Sequence, residues 1–181
     1  TDNPVTWWND ALQKMLSPAL EGAATERIDE ISVAVAQVAR LMTGLMGGLM
    51  GLTLLGCLFI ARWWQAMLYN PGGFQGEFHQ LRLGRGFALV AVATGALLLV
   101  SSSETMPIAT DLLVVMVMLF MIQGLSVSHY LVARAGANSG WLVALYVLAI
   151  LLPQAALTLA VAGIADNWLD FRTIFGVKPK Q

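Results

Sequence analysis

Asp111, Gln123, Ser126, His129 and Gln154 stand out in this 181-residue chain, because each polar side chain sits in or beside a run of apolar residues. An ionisable group in such a run is costly to bury, which makes it a candidate solute, ion or proton site. Gln123, Ser126 and His129 recur at three-residue steps, so a helix places them along one stripe with Ser128 turned away. Such a stripe either hydrogen-bonds neighbouring helices or lines a cavity for a substrate. Asp111 lies one turn after Pro107, where a carboxylate also suits the positive end of a helix dipole. Pro153-Gln154 interrupts the last apolar run, and proline there is expected to kink the helix and free a carbonyl.

These residues do not make a catalytic set. Ser126 and His129 share one helix, and Ser139-Gly140 has no second histidine near it in sequence, whereas a serine nucleophile needs a base on a facing element. His79 stands in a loop with Glu77 and forms no metal-ligand pattern. Cys57 is the single cysteine and lies in an apolar run, so it reads as a packing residue. No phosphate-cradling glycine loop or paired catalytic carboxylate occurs, and the expectation is a non-enzymatic protein with no cofactor and no metal. A net charge of -1 gives no basic footprint for a phosphate backbone, so nucleic acid is not an expected partner.

The elements that must hold these groups are membrane helices. Hydrophobic residues make up 57% of the chain and charged ones 12%, against roughly 25% charged in soluble domains, and the mean hydropathy is +0.70. The fold class is therefore all-α, a polytopic membrane bundle in contact with the lipid bilayer, with about four spans at 41–61, 86–100, 107–133 and 140–163. Trp63, Trp64, Tyr69, Tyr130, Trp141 and Trp168 fall at or just beyond the expected ends, as interfacial belts require. Residues 1–36 hold six of the eleven acids and form an extramembrane amphipathic segment; Ile28, Ile31, Val35 and Val38 share one helical face, and Trp7-Trp8 opens a short interfacial helix. The membrane domain covers 37–172 and a tail covers 173–181. In the 62–85 loop, Asn70-Pro71-Gly72-Gly73 marks a turn, with Phe74, Phe78 and Leu81 at helical spacing after it. Arg62, Arg82, Arg85 and Arg134 balance Arg27, Arg40, Arg172, Lys178 and Lys180 almost evenly, and weighting the closely flanked loop places 62–85 in the cytoplasm.

Gly44, Gly47, Gly48 and Gly51 form two overlapping Gly-x-x-x-Gly motifs, which let helix backbones approach within the chain or between chains. At the other end, Gly163 permits the last span to stop, Trp168 and Phe171 suit an interface, and Asp166, Asp170 and Arg172 are close enough to pair. The Leu151-Leu152-Pro153-Gln154 run, the Gly163-x-x-Asp166-x-Trp168-x-Asp170-Phe171-Arg172 ending and the loop from Arg62-Trp63-Trp64 to Arg82-Leu83-Gly84-Arg85 resemble the YybS-like family of uncharacterised multi-span bacterial membrane proteins. The resemblance implies a multi-pass protein of the bacterial inner membrane. It also implies that this chain is the C-terminal half of a longer protein, with further spans before it. That family's layout has been likened to the substrate-binding subunits of energy-coupling-factor vitamin transporters.

Two readings follow. In the first and preferred one, the chain is a structural, assembly or partner-binding membrane subunit. It then meets other membrane helices (a missing N-terminal half, a second copy or a partner subunit) through the glycines of the first span, the N-terminal region and residues 166–172. The polar stripe is then consumed by helix-to-helix hydrogen bonds. In the alternative, a small-solute-binding or transport module, Asp111, Gln123, Ser126, His129 and Gln154 converge on an internal cavity.

Overall fold

The computed structural model describes residues 3–22, 24–101 and 106–175, and among them are eight helices and no strand. They are α1 (Pro4–Leu20), α2 (Thr25–Tyr69), α3 (Gly73–His79), α4 (Arg85–Val100), α5 (Pro107–Arg134), α6 (Gly140–Leu151), α7 (Pro153–Leu169) and α8 (Phe171–Ile174). Asp2, Ser102-Ser103-Glu104, Lys178 and Lys180, on which parts of the sequence reading fall, lie outside the described residues. The chain forms two compact units, Thr1–Met50 with Thr94–Val115 and Gly51–Ala93 with Met116–Gln181, whose boundaries pass through α2, α4 and α5.

Among the described residues, two helices are long and apolar enough to cross a membrane, α2 and α5, and α6 with α7 makes a third if that bent pair counts as one span. The amphipathic stretch from Thr25 and the first expected span are a single helix, preceded by α1: the 45 residues of α2 run about 68 Å, roughly twice the hydrocarbon thickness. The 16 residues of α4 reach only about 24 Å. The kink expected at Pro153 is a full break, since α6 and α7 meet at 116°. Leu152 takes extended backbone, φ -122° and ψ 105°, because the proline ring disfavours helical geometry in the residue before it. Pro153 then starts α7 at a position whose N–H would have no helical partner anyway.

In the first unit, Asn3 caps α1 by accepting a hydrogen bond from the Val5 amide at 3.1 Å. Gly22, at φ +86°, makes the turn between α1 and α2. Of the expected apolar face, Val35 is buried while Val38 is exposed. Gly44 has the packing role its motif predicts, because a Cβ there would lie 2.9 Å from Asp111 Cα and 3.0 Å from Val114 Cβ.

In the second unit the core is Ala88 and Ala91 of α4, Met116 and Phe120 of α5 and Ala160 of α7, with Leu83, Val117, Met121 and Ile164 around it. The three alanines let the helix backbones come close, and Met116 and Phe120 fill the space beside them. The tightest approach is at Gly124 and Gly163, where a Cβ would meet Leu159 O at 1.9 Å and Phe120 O at 2.1 Å respectively. Gly163 is therefore no helix terminator: it lies inside α7 as a packing residue, and the helix ends at Leu169. Asp170 ends it in the left-handed conformation at φ 47°, which asparagine and aspartate tolerate better than other side chains.

Candidate functional site

The link between α3 and α4, residues 80–84, has no regular structure, so its backbone groups lack the partners a helix supplies. Polar side chains of the second unit take their place. The fully buried Gln123 accepts the Leu83 amide on Oε1 at 2.9 Å. The fully buried Ser126 hydroxyl donates to Phe78 O at 2.5 Å. Arg172 donates through Nη2 to Leu81 O and to Ser126 Oγ, each at 3.0 Å.

Asp166 is the acceptor on which these groups converge. It has no exposed surface, and its Oδ2 receives Arg172 Nη1 at 2.7 Å and Gln123 Nε2 at 3.2 Å, with Arg82 Nε at 3.6 Å. Its Oδ1 accepts the Phe171 amide at 3.2 Å. The left-handed backbone at Asp170 turns the chain so that Arg172, six residues along, comes back against Asp166. Around this centre Arg82 pairs with Asp170, Arg85 Nε donates to Asn167 O at 3.0 Å, and Tyr130 OH donates to Arg172 O at 3.2 Å.

The electrostatics follow from burial. The Arg172 side chain is only 9% exposed, and desolvation draws its guanidinium below the ordinary arginine value while Asp166 opposes the shift. Asp170 lies below the ordinary carboxylate range chiefly because of the Arg82 hydrogen bond. His79, beside Tyr130, is held below the ordinary histidine value, first by burial and then by the Arg172 charge.

The polar stripe and the C-terminal motif, read separately in the sequence, thus form one cluster: Gln123, Ser126, Asp166 and Arg172 hydrogen-bond one another, with Asp170 attached through Arg82. His129 stands apart, with Nε2 2.9 Å from Tyr146 OH and its ring edge-on to Phe78. Asp111 belongs to the other unit, packed at Gly44. Gln154 is exposed in the first turn of α7, where its carbonyl accepts the Thr158 hydroxyl at 2.8 Å. Within the second unit, His129 and Gln154 make contacts separate from those of Gln123 and Ser126, and Asp111 belongs to the first unit. Trp168 is partly exposed, and Phe171 stacks on Phe175. Of the glycines in the first span, Gly44 and Gly48 are buried, Gly47 touches only Val115, and Gly51 meets open space. Arg82, Arg85 and Asn167 have no sequence signal beyond their charge or amide; the link before α4 brings Arg82 and Arg85 to the cluster, and Asn167 follows Asp166 on α7.

Among the described residues, no three His, Cys, Asp or Glu side chains group so as to hold a metal ion. The cluster's chemistry is that of a fastener: a buried ion pair whose other donors and acceptors are taken up by neighbouring polar groups, apart from Arg172 Nε, which is buried without a partner among the described residues. Pairs of this kind leave a costly uncompensated charge when one partner is removed.

A family model described as "Predicted membrane protein (DUF2232)" matches residues 6–167. No curated protein and no solved structure matches the chain.

Proposed function

The chain belongs to that membrane-protein family, and from this premise we propose that it is a non-enzymatic, multi-pass subunit of the bacterial cytoplasmic membrane that holds a partner through its helices. The observation that carries the reading is the use of the buried stripe. Gln123 and Ser126 are fully buried, and their hydrogen bonds go to Asp166, Arg172 and the 78–83 backbone, not to an open cavity. The apolar surface of α2 remains outward, with Leu54 and Leu58 both largely exposed. Gly51 and Gly56 on that helix meet no atom within 4 Å, which leaves room for another helix backbone. The YybS-like resemblance of the 62–85 loop and the C-terminal motif fits the same reading, since it implies further membrane helices around this region.

The test is native mass spectrometry of the full-length protein released gently from its own membrane. A defined complex that dissociates in Gly51→Leu supports the proposal, because space around Gly51 means the substitution leaves the fold intact. A monomer carrying a stoichiometric small molecule overturns it in favour of a solute-binding module.

A further inference from the structure

The second unit contains a groove of about 510 Å³ formed by the end of α2, α3, α5 and α6, within the size range of small-molecule sites. Its walls include Trp63, Phe74, Phe78, His79, His129 and Tyr146. Phe74 and Phe78 lie nearly parallel, their planes 26° apart. Among the described residues, no Asp, Glu, Lys or Arg lines the groove. Arg62 of α2 and Glu77 of α3 are paired with each other.

The hydrogen-bonding capacity of the walls is specific. An uncharged imidazole carries one N–H and a phenol one O–H. The contact of 2.9 Å between His129 Nε2 and Tyr146 OH uses one of these two donors, whichever tautomer is present, and leaves the other. His79 adds an imidazole, which burial and Arg172 keep below the ordinary histidine value. The groove thus offers flat apolar walls, neutral donors and no charge. An anionic headgroup would find no cation there, and a cationic one no carboxylate.

From this arrangement we infer that the groove binds a neutral, lipid-borne ligand with a flat ring bearing hydrogen-bond acceptors, the chemistry of a quinone headgroup. The ring lies against Phe74 and Phe78, and a ring carbonyl accepts the donor left over at the His129–Tyr146 pair. The inference goes beyond the partner-binding reading and does not depend on it. It concerns binding alone and assigns no electron transfer to the protein.

The test is calorimetric titration of the full chain in detergent micelles with a decyl-tailed benzoquinone, with protein-free micelles as the partition blank. Saturable binding at one probe per chain is expected. The His129→Leu/Tyr146→Phe double variant should bind about five- to tenfold more weakly, the loss of one hydrogen bond. Phe74→Leu, which keeps an apolar side chain and should fold, should also weaken binding. Heats indistinguishable from the blank overturn the inference with wild-type protein alone. So does binding that both variants leave unchanged, or displacement of the probe by tetramethylammonium or phosphatidylglycerol.

Discussion

Arg172 closes on Asp166 at 2.7 Å with no exposed surface on the carboxylate, and the same guanidinium reaches Leu81 O at 3.0 Å. One side chain therefore joins the end of α7 to the irregular link before α4. Several expected outcomes follow from how that junction is made.

Ser126→Ala removes both the donor to Phe78 O and an acceptor for Arg172. Phe78 O keeps the Leu81 amide and Arg172 Nη2 keeps Leu81 O, so the cost is that of the two lost hydrogen bonds, about 1–3 kcal/mol in all. Thermal unfolding in detergent should show the loss, and amide hydrogen exchange should rise over residues 78–83 before it rises in α5. Uniform exchange across the unit would speak against a local fastening role.

The glycine crossing makes a sharper contrast. A Cβ at Gly163 would lie 2.1 Å from Phe120 O and one at Gly124 would lie 1.9 Å from Leu159 O, both backbone atoms that cannot swing aside. Gly163→Ala and Gly124→Ala should each destabilise by at least the 1–3 kcal/mol typical of overpacking. Gly51→Ala, with nothing within 4 Å, should be nearly neutral to the isolated chain. Unfolding midpoints of the three variants check this.

How much of this was legible in the sequence depends on whether the partner was near in sequence. The long apolar runs of α2 and α5 are visible as hydropathy, and the nearness of Asp166 and Arg172 suggests their pairing, whereas Asp170 goes to Arg82, which its spacing does not announce. The stripe of Gln123 and Ser126 is equally visible, but what it faces is not, because Leu83, Asp166 and Arg172 lie tens of residues away and arrive through two chain reversals. Gly124 is an isolated glycine that carries no motif, and Gly163 heads a motif that points to a helix end; their packing role shows only when one is set beside the other. The Gly-x-x-x-Gly repeats drew attention instead, and only part of that pattern is buried. At Pro153 the residue type announces a disruption, but the 116° angle depends on Leu152 turning extended and on what α6 and α7 pack against.

Pro153→Ala should let α6 and α7 approach one continuous helix, since it restores an N–H and frees Leu152 to become helical. Spin labels at the exposed Val143 and Leu169, in a chain whose Cys57 is replaced, should move apart towards the roughly 39 Å of a straight helix. An unchanged distance would mean that packing alone holds the bend.

Stability should fall on mild acidification. His79 has a folded-state pKa below its ordinary value of 6.5 because of burial and then Arg172. The unfolded chain therefore binds the proton more readily, and stability present above that value is lost as pH falls through it. Asp170, lowered mainly by Arg82, contributes stability above the ordinary carboxylate range that is lost at more acidic pH. Unfolding midpoints in detergent should decline in both windows, and His79→Leu should flatten the first.

That the buried charges of Asp166 and Arg172 serve the fold can be measured by a double-mutant cycle on Asp166→Asn and Arg172→Gln. Each single change strands a buried charge or unpairs its hydrogen bonds, at a cost of about 3–5 kcal/mol. The account predicts that the double variant loses much less stability than the two singles added together. Additive losses would contradict it, as would an Asp166→Asn protein more stable than the wild type, because a site held at the fold's expense for binding gains stability when neutralised.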